Sequence, residues 1–319
     1  MNVTYAPSDG RPAPTPDFVN MVRGELFKIS RNTGIWVTSG ILTVFFLTFQ
    51  AGSIIQVIAL STVSNTFSSN ATVNGNPFQV NTAEYLLQTV LGTVNGWVGI
   101  YLMAVAVIVV ALEYQQGTIR VLLSRGVGRM RLLSAKVSAV ILYGLTALLL
   151  ALALTVGEVY SMFNLSNHGD LIANLPDYFW SDSATYVLTI LLGMLATISL
   201  AATFAVLGRS LAFGLGFTLP YFLVENIVGV IMKGIGISTQ SYWLYNITQF
   251  FLGVNINNIP SKLLSGHSTI NSLNVNNFTT NNPDILIHDA SFSIIVVVTY
   301  IVGLGAIAYT VTRYRDVQN

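Results

Sequence analysis

Six apolar runs limit what this chain can fold into. A helix rises about 1.5 Å per residue, so about 20 residues cross the roughly 30 Å hydrocarbon layer of a bilayer. The runs cover Ile35 to Ile58, Thr93 to Leu112, Val137 to Gly157, Ala184 to Leu207, Leu211 to Met232 and Phe292 to Thr312, and each is long enough to cross. Residues that are 53% hydrophobic and only 8% charged, with a mean hydropathy of +0.65, exceed what a water-soluble core of this size can hide. The expectation is an all-α integral membrane protein with six transmembrane helices. The first run follows 34 residues and is not followed by an A-x-A-like site, so it reads as a span and not as a cleaved leader.

Basic residues set the orientation. Arg11, Arg23, Lys28, Arg31, Arg120, Arg125, Arg129, Arg131, Lys136, Arg209, Arg313 and Arg315, twelve in all, fall on one side of this topology, against Lys233 and Lys262 on the other. The positive-inside rule then puts both termini in the cytoplasm of a multi-pass cell-membrane protein. Residues 1 to 16 hold Pro7, Pro12, Pro14 and Pro16 with few large apolar groups, the composition of a disordered tail. From Asp17 to Ser30, Phe18, Val19, Val22, Leu26 and Ile29 recur at helical spacing, which predicts an amphipathic helix on the inner leaflet or packed on protein. On the outer side, 61 to 83 is rich in Ser, Thr and Asn, and 161 to 183 carries Asp170, Asp177 and Asp182 without Lys or Arg. The longest outer segment, about 233 to 291, opens with the aromatic stretch Tyr242 to Val254, which suits a short interfacial or re-entrant helix. Asn255 to Asn282, with nine Asn, reads as exposed loop.

Charge is concentrated between the second and third runs. Residues 113 to 136 hold five of the fourteen basic residues and one acid, Glu113. Thr118 to Leu123 suits a short helix with one apolar side, and Gly126 and Gly128 break it before the next span. A short helix across a basic loop is built to touch something.

The order E-Y-x-x-G-T-x-R-x-x-L-x-R from Glu113 to Arg125, followed by Arg129 and Lys136 at the approach to a hydrophobic helix, resembles the inner loop of ABC type-2 permeases. In that family the loop carries a coupling helix that fits a separate ATPase. The resemblance assigns Glu113, Gly117, Thr118, Arg120, Leu123, Arg125 and Arg129 to ATPase coupling. The family often has proline and a small polar residue where this chain has Gly126 and Gly128. E-L-x-K-x-x-R, from Glu25 to Arg31, is similar to the elbow helix before the family's first span. Residues 1–34 are then a cytoplasmic tail with an elbow helix, and 35–319 a single six-span domain. The resemblance implies an exporter moving substrate from the cytoplasm or inner leaflet outward, as two permease copies or paralogues with two ATPase subunits that bind ATP and Mg.

No cofactor site is expected in this chain. None of its lysines, Lys28, Lys136, Lys233 and Lys262, follows a glycine, so no phosphate loop is present. Cysteine is absent, and His168, His267 and His288 lie in expected loops without helical ligand spacing. No G-x-S-x-G or H-E-x-x-H occurs, so neither catalytic residues nor a metal is expected. N-x-S/T triplets at Asn70, Asn164, Asn246 and Asn277 read as chance in Asn-rich segments.

Glu158 sits at the outer end of the third run, within reach of interfacial water. Glu225 is deeper, about 21 Å from the inner boundary at 1.5 Å per residue from Leu211. An acid there faces protein or a wet cavity. Glu225, Asn226 and the bend expected at Pro220 are a candidate outer substrate path, and a structural hydrogen bond is the alternative. Gly92, Gly96, Gly99 and Gly193 read as packing positions, and Gly214 with Gly216 as loosening the fifth run. Two further functional classes stay open: an ATP-independent channel or secondary carrier, and a membrane anchor or sensor for an ATPase.

Overall fold

Every expected span is a helix, and most run well past the apolar run that marks them. The computed structural model describes residues 17–67, 72–73, 76–77, 82–124, 127–167, 173, 175–264, 284–286 and 288–314. The helices are α1 (Phe18–Arg31), α2 (Thr33–Phe67), α3 (Thr82–Gln115), α4 (Thr118–Ser124), α5 (Arg129–Leu165), α6 (Tyr178–Gly208), α7 (Leu211–Ser238), α8 (Tyr242–Thr248), α9 (Leu252–Leu263) and α10 (Ala290–Tyr314). Between α2 and α3, β1 (Thr72–Val73) and β2 (Asn76–Pro77) pair antiparallel. Six of these helices, α2, α3, α5, α6, α7 and α10, are long and apolar enough to cross a membrane. Backbone hydrogen bonding continues wherever no Gly or Pro breaks it, whereas hydropathy marks only the part in lipid. Hence α5 starts at Arg129, about two turns before the apolar run at Val137, and carries Glu158 within it.

The bundle is layered around α3 and α6. Their most apolar windows are 78% and 67% buried inside the protein, against 17% for both α7 and α10. Along α3 every residue from Tyr101 to Ala111 is buried, so that stretch is surrounded by protein on all sides. It packs on α6, α2, α5 and α7, while α10 covers α6 and α1 lies along α5. A second cluster of Ile54, Val57, Leu86, Val90 and Phe163 ties α2, α3 and α5 together away from the basic end.

Several polar groups inside the bundle meet one another, as a medium without water favours. Trp97 Nε1 donates to the Leu42 carbonyl at 2.8 Å and its ring stacks on Tyr101. The Tyr101 hydroxyl lies 2.8 Å from Ser39 Oγ and 2.7 Å from the Tyr143 hydroxyl, joining α2, α3 and α5. Small residues let backbones approach: a Cβ on Gly193 would come 3.1 Å from Ile256, and one on Gly99 3.6 Å from Thr197. Gly92 would meet the Tyr186 hydroxyl at 3.4 Å, whereas Gly96 faces open space. Gly214 is a contact and does not loosen its helix, because a Cβ there would strike the Val107 side chain of α3.

Beyond α7 the chain continues as α8 and α9, so the short-helix reading of Tyr242 to Val254 holds. The exposed-loop reading of 255 to 282 is corrected over its first nine residues, which belong to α9. Asn255 is fully buried, its Nδ2 donating to the Gln249 and Phe251 carbonyls at 2.7 Å each. Asn246 donates to the Asp284 carbonyl and accepts from Leu286 N–H, both at 3.0 Å, so its amide fastens the 284–286 segment. His288 stacks on Phe292, whereas His168, His267, Asn70 and Asn277 lie outside the described residues, as does the tail of residues 1–16.

Candidate coupling surface at the basic end

The end of α3 is the joint on which the basic end is assembled. Glu113, Tyr114 and Gln115 each reach a different neighbour. Glu113 Oε1 accepts from Lys28 Nζ of α1 at 2.7 Å, and its Oε2 lies 3.0 Å from Lys136 Nζ of α5. Glu25 of α1 closes the square, with Oε1 2.7 Å from Lys28 and Oε2 3.0 Å from Lys136. Lys136 also donates to the Val109 carbonyl at 3.1 Å and is only 2% exposed. Two ammoniums and two carboxylates therefore neutralise one another where α1, α3 and α5 converge. Such a cluster fixes geometry more than it adds stability, because desolvation offsets the Coulomb gain. Partial burial disfavours the Lys28 ammonium, yet its bonds to Glu113 and Glu25 outweigh this and hold its pKa above the ordinary 10.5.

Tyr114 turns the other way, its ring 5.9 Å beneath the Arg209 guanidinium. Arg209 is held in left-handed conformation, φ 49°, in the short joint between α6 and α7. Gln115 Oε1 accepts from Leu211 N–H at 3.2 Å, and Ser210 Oγ caps α7 by accepting from Phe213 N–H at 3.1 Å. Gly117 then turns the chain with φ 69°, a conformation that favours glycine, and α4 begins. The Thr118 hydroxyl donates back to the Glu113 carbonyl at 3.3 Å. On α4, Ile119 and Leu123 stand one turn apart and border a recess with Tyr114, Arg129, Leu132 and Arg209. Val121 and Ser124 point outward, Val121 being 53% exposed. Gly128, with extended backbone, is the N-cap of α5.

A sequence profile of ABC-2 family transporter proteins matches residues 21–225, well over half of the chain. The chain belongs to the ABC-2 transporter family. It is a multi-pass membrane permease, and the match runs from α1 through the joint and α4 into α7. No curated protein matches the permease.

The residues expected to couple to an ATPase divide into two groups. Glu113 is turned inward to the lysines, Gly117 and Thr118 shape the turn, and Leu123 and the partly buried Arg129 lie along the recess. The Arg120 side chain, Arg125 and Gly126 lie outside the described residues. Expectation left out Tyr114, Gln115 and Glu25 as joint residues, and it counted Lys136 among the loop cations although it is buried. The signal for Glu25 was its place on the same helical face as Val22 and Ile29, since 22, 25 and 29 share one side.

At the other end of the permease, Glu225 is 8% exposed, and its carboxylate accepts the first backbone N–H groups of α9. Oε1 takes Leu252 N–H and Oε2 takes Gly253 N–H at 3.0 Å. A carboxylate there satisfies orphan donors and complements the positive end of the helix. Asn226 Oδ1 accepts from Asn257 Nδ2 at 3.0 Å, and its own Nδ2 donates to the Phe222 carbonyl. Pro220 lies inside the continuous helix α7 on an exposed side.

Proposed function

We propose that the permease is the membrane subunit of an ATP-driven exporter, with α4 seated on a separate ATPase subunit that binds ATP and Mg. The setting of α4 carries this reading. One face is packed on the bundle through Ile119 and Leu123, the opposite face offers Val121, and the flanking sequence is strongly basic. The twelve-to-two sorting of Lys and Arg favours a cytoplasmic basic end and both termini in the cytoplasm of a cell-membrane protein. Two copies, or this chain and a paralogue, would enclose the path, with Glu225, Asn226 and Pro220 near its outer part. The joint at Glu113 to Gln115 supplies the route for motion: displacing α4 moves α1 and α5 through the ion cluster and α7 through Gln115.

The test is to replace Arg120 or Arg125 with Glu and measure ATPase co-purification and ATP-dependent flux in vesicles. Reversing a charge at a docking face costs several kcal/mol, enough to abolish association at ordinary concentrations. Helical content should stay intact. Association and flux both unchanged in the two variants would reject α4 as the contact.

A further inference from the structure

A cavity of about 580 Å³ lies between α1, the end of α3 and α4, on the opposite side of α3's end from the recess beneath Leu123. Its walls are sorted by polarity. Ile35, Ile108 and Leu112 come from the spans, whereas Lys28 and Arg31 come from the last turns of α1 at the membrane boundary. Its lining carries two acids, Glu25 and Glu113, and two cations, Lys28 and Arg31, but Lys136 behind the wall binds both acids as well. Glu25 and Glu113 are matched by Lys28 and Lys136, but Arg31 meets no carboxylate among the described residues, and its guanidinium rests 5.1 Å over the Phe27 ring. The cavity therefore carries one surplus cation beside an apolar wall at the depth of lipid headgroups. A small soluble anion would leave that wall wet, and an uncharged hydrocarbon would leave the guanidinium without a counter-ion. An amphiphile with an anionic head satisfies both, and the volume falls within the range of ligand sites.

We propose that this cavity holds the phosphate and upper chains of an anionic glycerophospholipid from the leaflet at the basic end, seating α1 against α4. The Arg31 guanidinium pairs the phosphate, and Ile35, Ile108 and Leu112 receive the chain. The cavity adjoins the proposed ATPase contact at Val121, which borders both, and because lipid retention is read without an ATPase the proposal does not depend on that contact.

The test uses full-length permease without an ATPase, exchanged from detergent into mixtures of phosphatidylglycerol and phosphatidylcholine, with retained lipids counted by native mass spectrometry. Wild type should retain phosphatidylglycerol in preference. Arg31→Glu should reduce that preference about fivefold or more, the scale of one basic contact with an anionic lipid. Val121→Trp, which fills the cavity from α4 without changing charge, should displace the retained lipid. Both losses are required, with circular dichroism showing intact helices. Loss in Arg31→Glu alone means a surface charge attracting bulk lipid, and loss in Val121→Trp alone means a site indifferent to charge. Either result overturns the proposal, as does displacement of the lipid by glycerol phosphate, which would mark a site for soluble phosphate.

Discussion

Replacing Lys136 with Met tests the ion cluster most severely. The Met side chain keeps the length of the stem but removes an ammonium that lies 3.0 Å from both Glu25 and Glu113 and donates to the Val109 carbonyl. Two carboxylates would then share Lys28, which is 51% exposed and screened by solvent. Removing one partner of a buried pair costs about 3–5 kcal/mol, and the surviving lysine places this case near about 3 kcal/mol. Lys28→Met, at the exposed corner, should cost about 1 kcal/mol or less. The cycle closes with Lys136→Met combined with Glu25→Gln. That pair leaves Lys28 facing Glu113 alone, restores charge balance, and should recover about 1–2 kcal/mol relative to additivity. Denaturant unfolding in micelles, followed by tryptophan fluorescence, measures each corner of the cycle. If Lys28→Met is as damaging as Lys136→Met, or if the double variant is simply additive, charge balance is not what holds α1 to α3 and α5.

Lys28 also predicts a pH response. Its folded pKa is raised, so its contribution is fully present below the ordinary 10.5 and is lost as pH climbs through the higher folded value. A fluorophore on α1 should report loosening only in that alkaline window, and Lys28→Arg should move the loosening to still higher pH. At the far end, Glu225→Gln can accept only one of the two α9 donors and should cost about 1–3 kcal/mol, while Glu225→Leu removes both. Hydrogen exchange at Leu252 and Gly253 should rise in that order, and equal protection in all three proteins would show that the cap is dispensable. Gly214→Ala, aimed at the branched Val107, should destabilise by about 1–3 kcal/mol in thermal unfolding, whereas Gly216→Ala meets nothing within 4 Å and should be neutral. Cysteine labelling fixes the orientation, since a single Gly128→Cys should react only with reagent on the cytoplasmic face and Gly266→Cys only with reagent outside.

The spans could be read from sequence because bilayer thickness imposes a length that hydropathy records directly. Their ends could not, since Arg129 to Lys136 is helical yet polar and looks like loop in a charge count. The turn before α4 was not read from Gly117, whose left-handed backbone only the structure shows, whereas α4 itself was legible in the one-sided apolar pattern of Thr118 to Leu123. The pairing of Glu25 with Lys136 was hidden, because 111 positions separate them and a local pattern cannot say which buried cation a buried acid meets. Asn-rich composition disguised the start of α9 for a related reason. Asn255 turns inward only because the Gln249 and Phe251 carbonyls are there to receive it. Sequence gave Glu225 two readings at membrane depth. That its carboxylate caps a helix depends on the chain returning 27 positions later.

The enclosed stretch of α3 from Tyr101 to Ala111 limits how the permease can move. A helix gripped on every side cannot roll or slide without opening voids in several interfaces at once, and close-packed interiors resist that. It behaves as a chassis member, stiff along its axis and carrying load from the Glu113 joint toward its distal half. Compliance is left to the elements with free flanks, α2, α7 and α10, which are the least buried of the six long apolar helices. Under the coupling proposed above, strain entering at α4 should therefore pass from the Glu113 joint to α1, α5 and α7 while the enclosed middle of α3 stays in place.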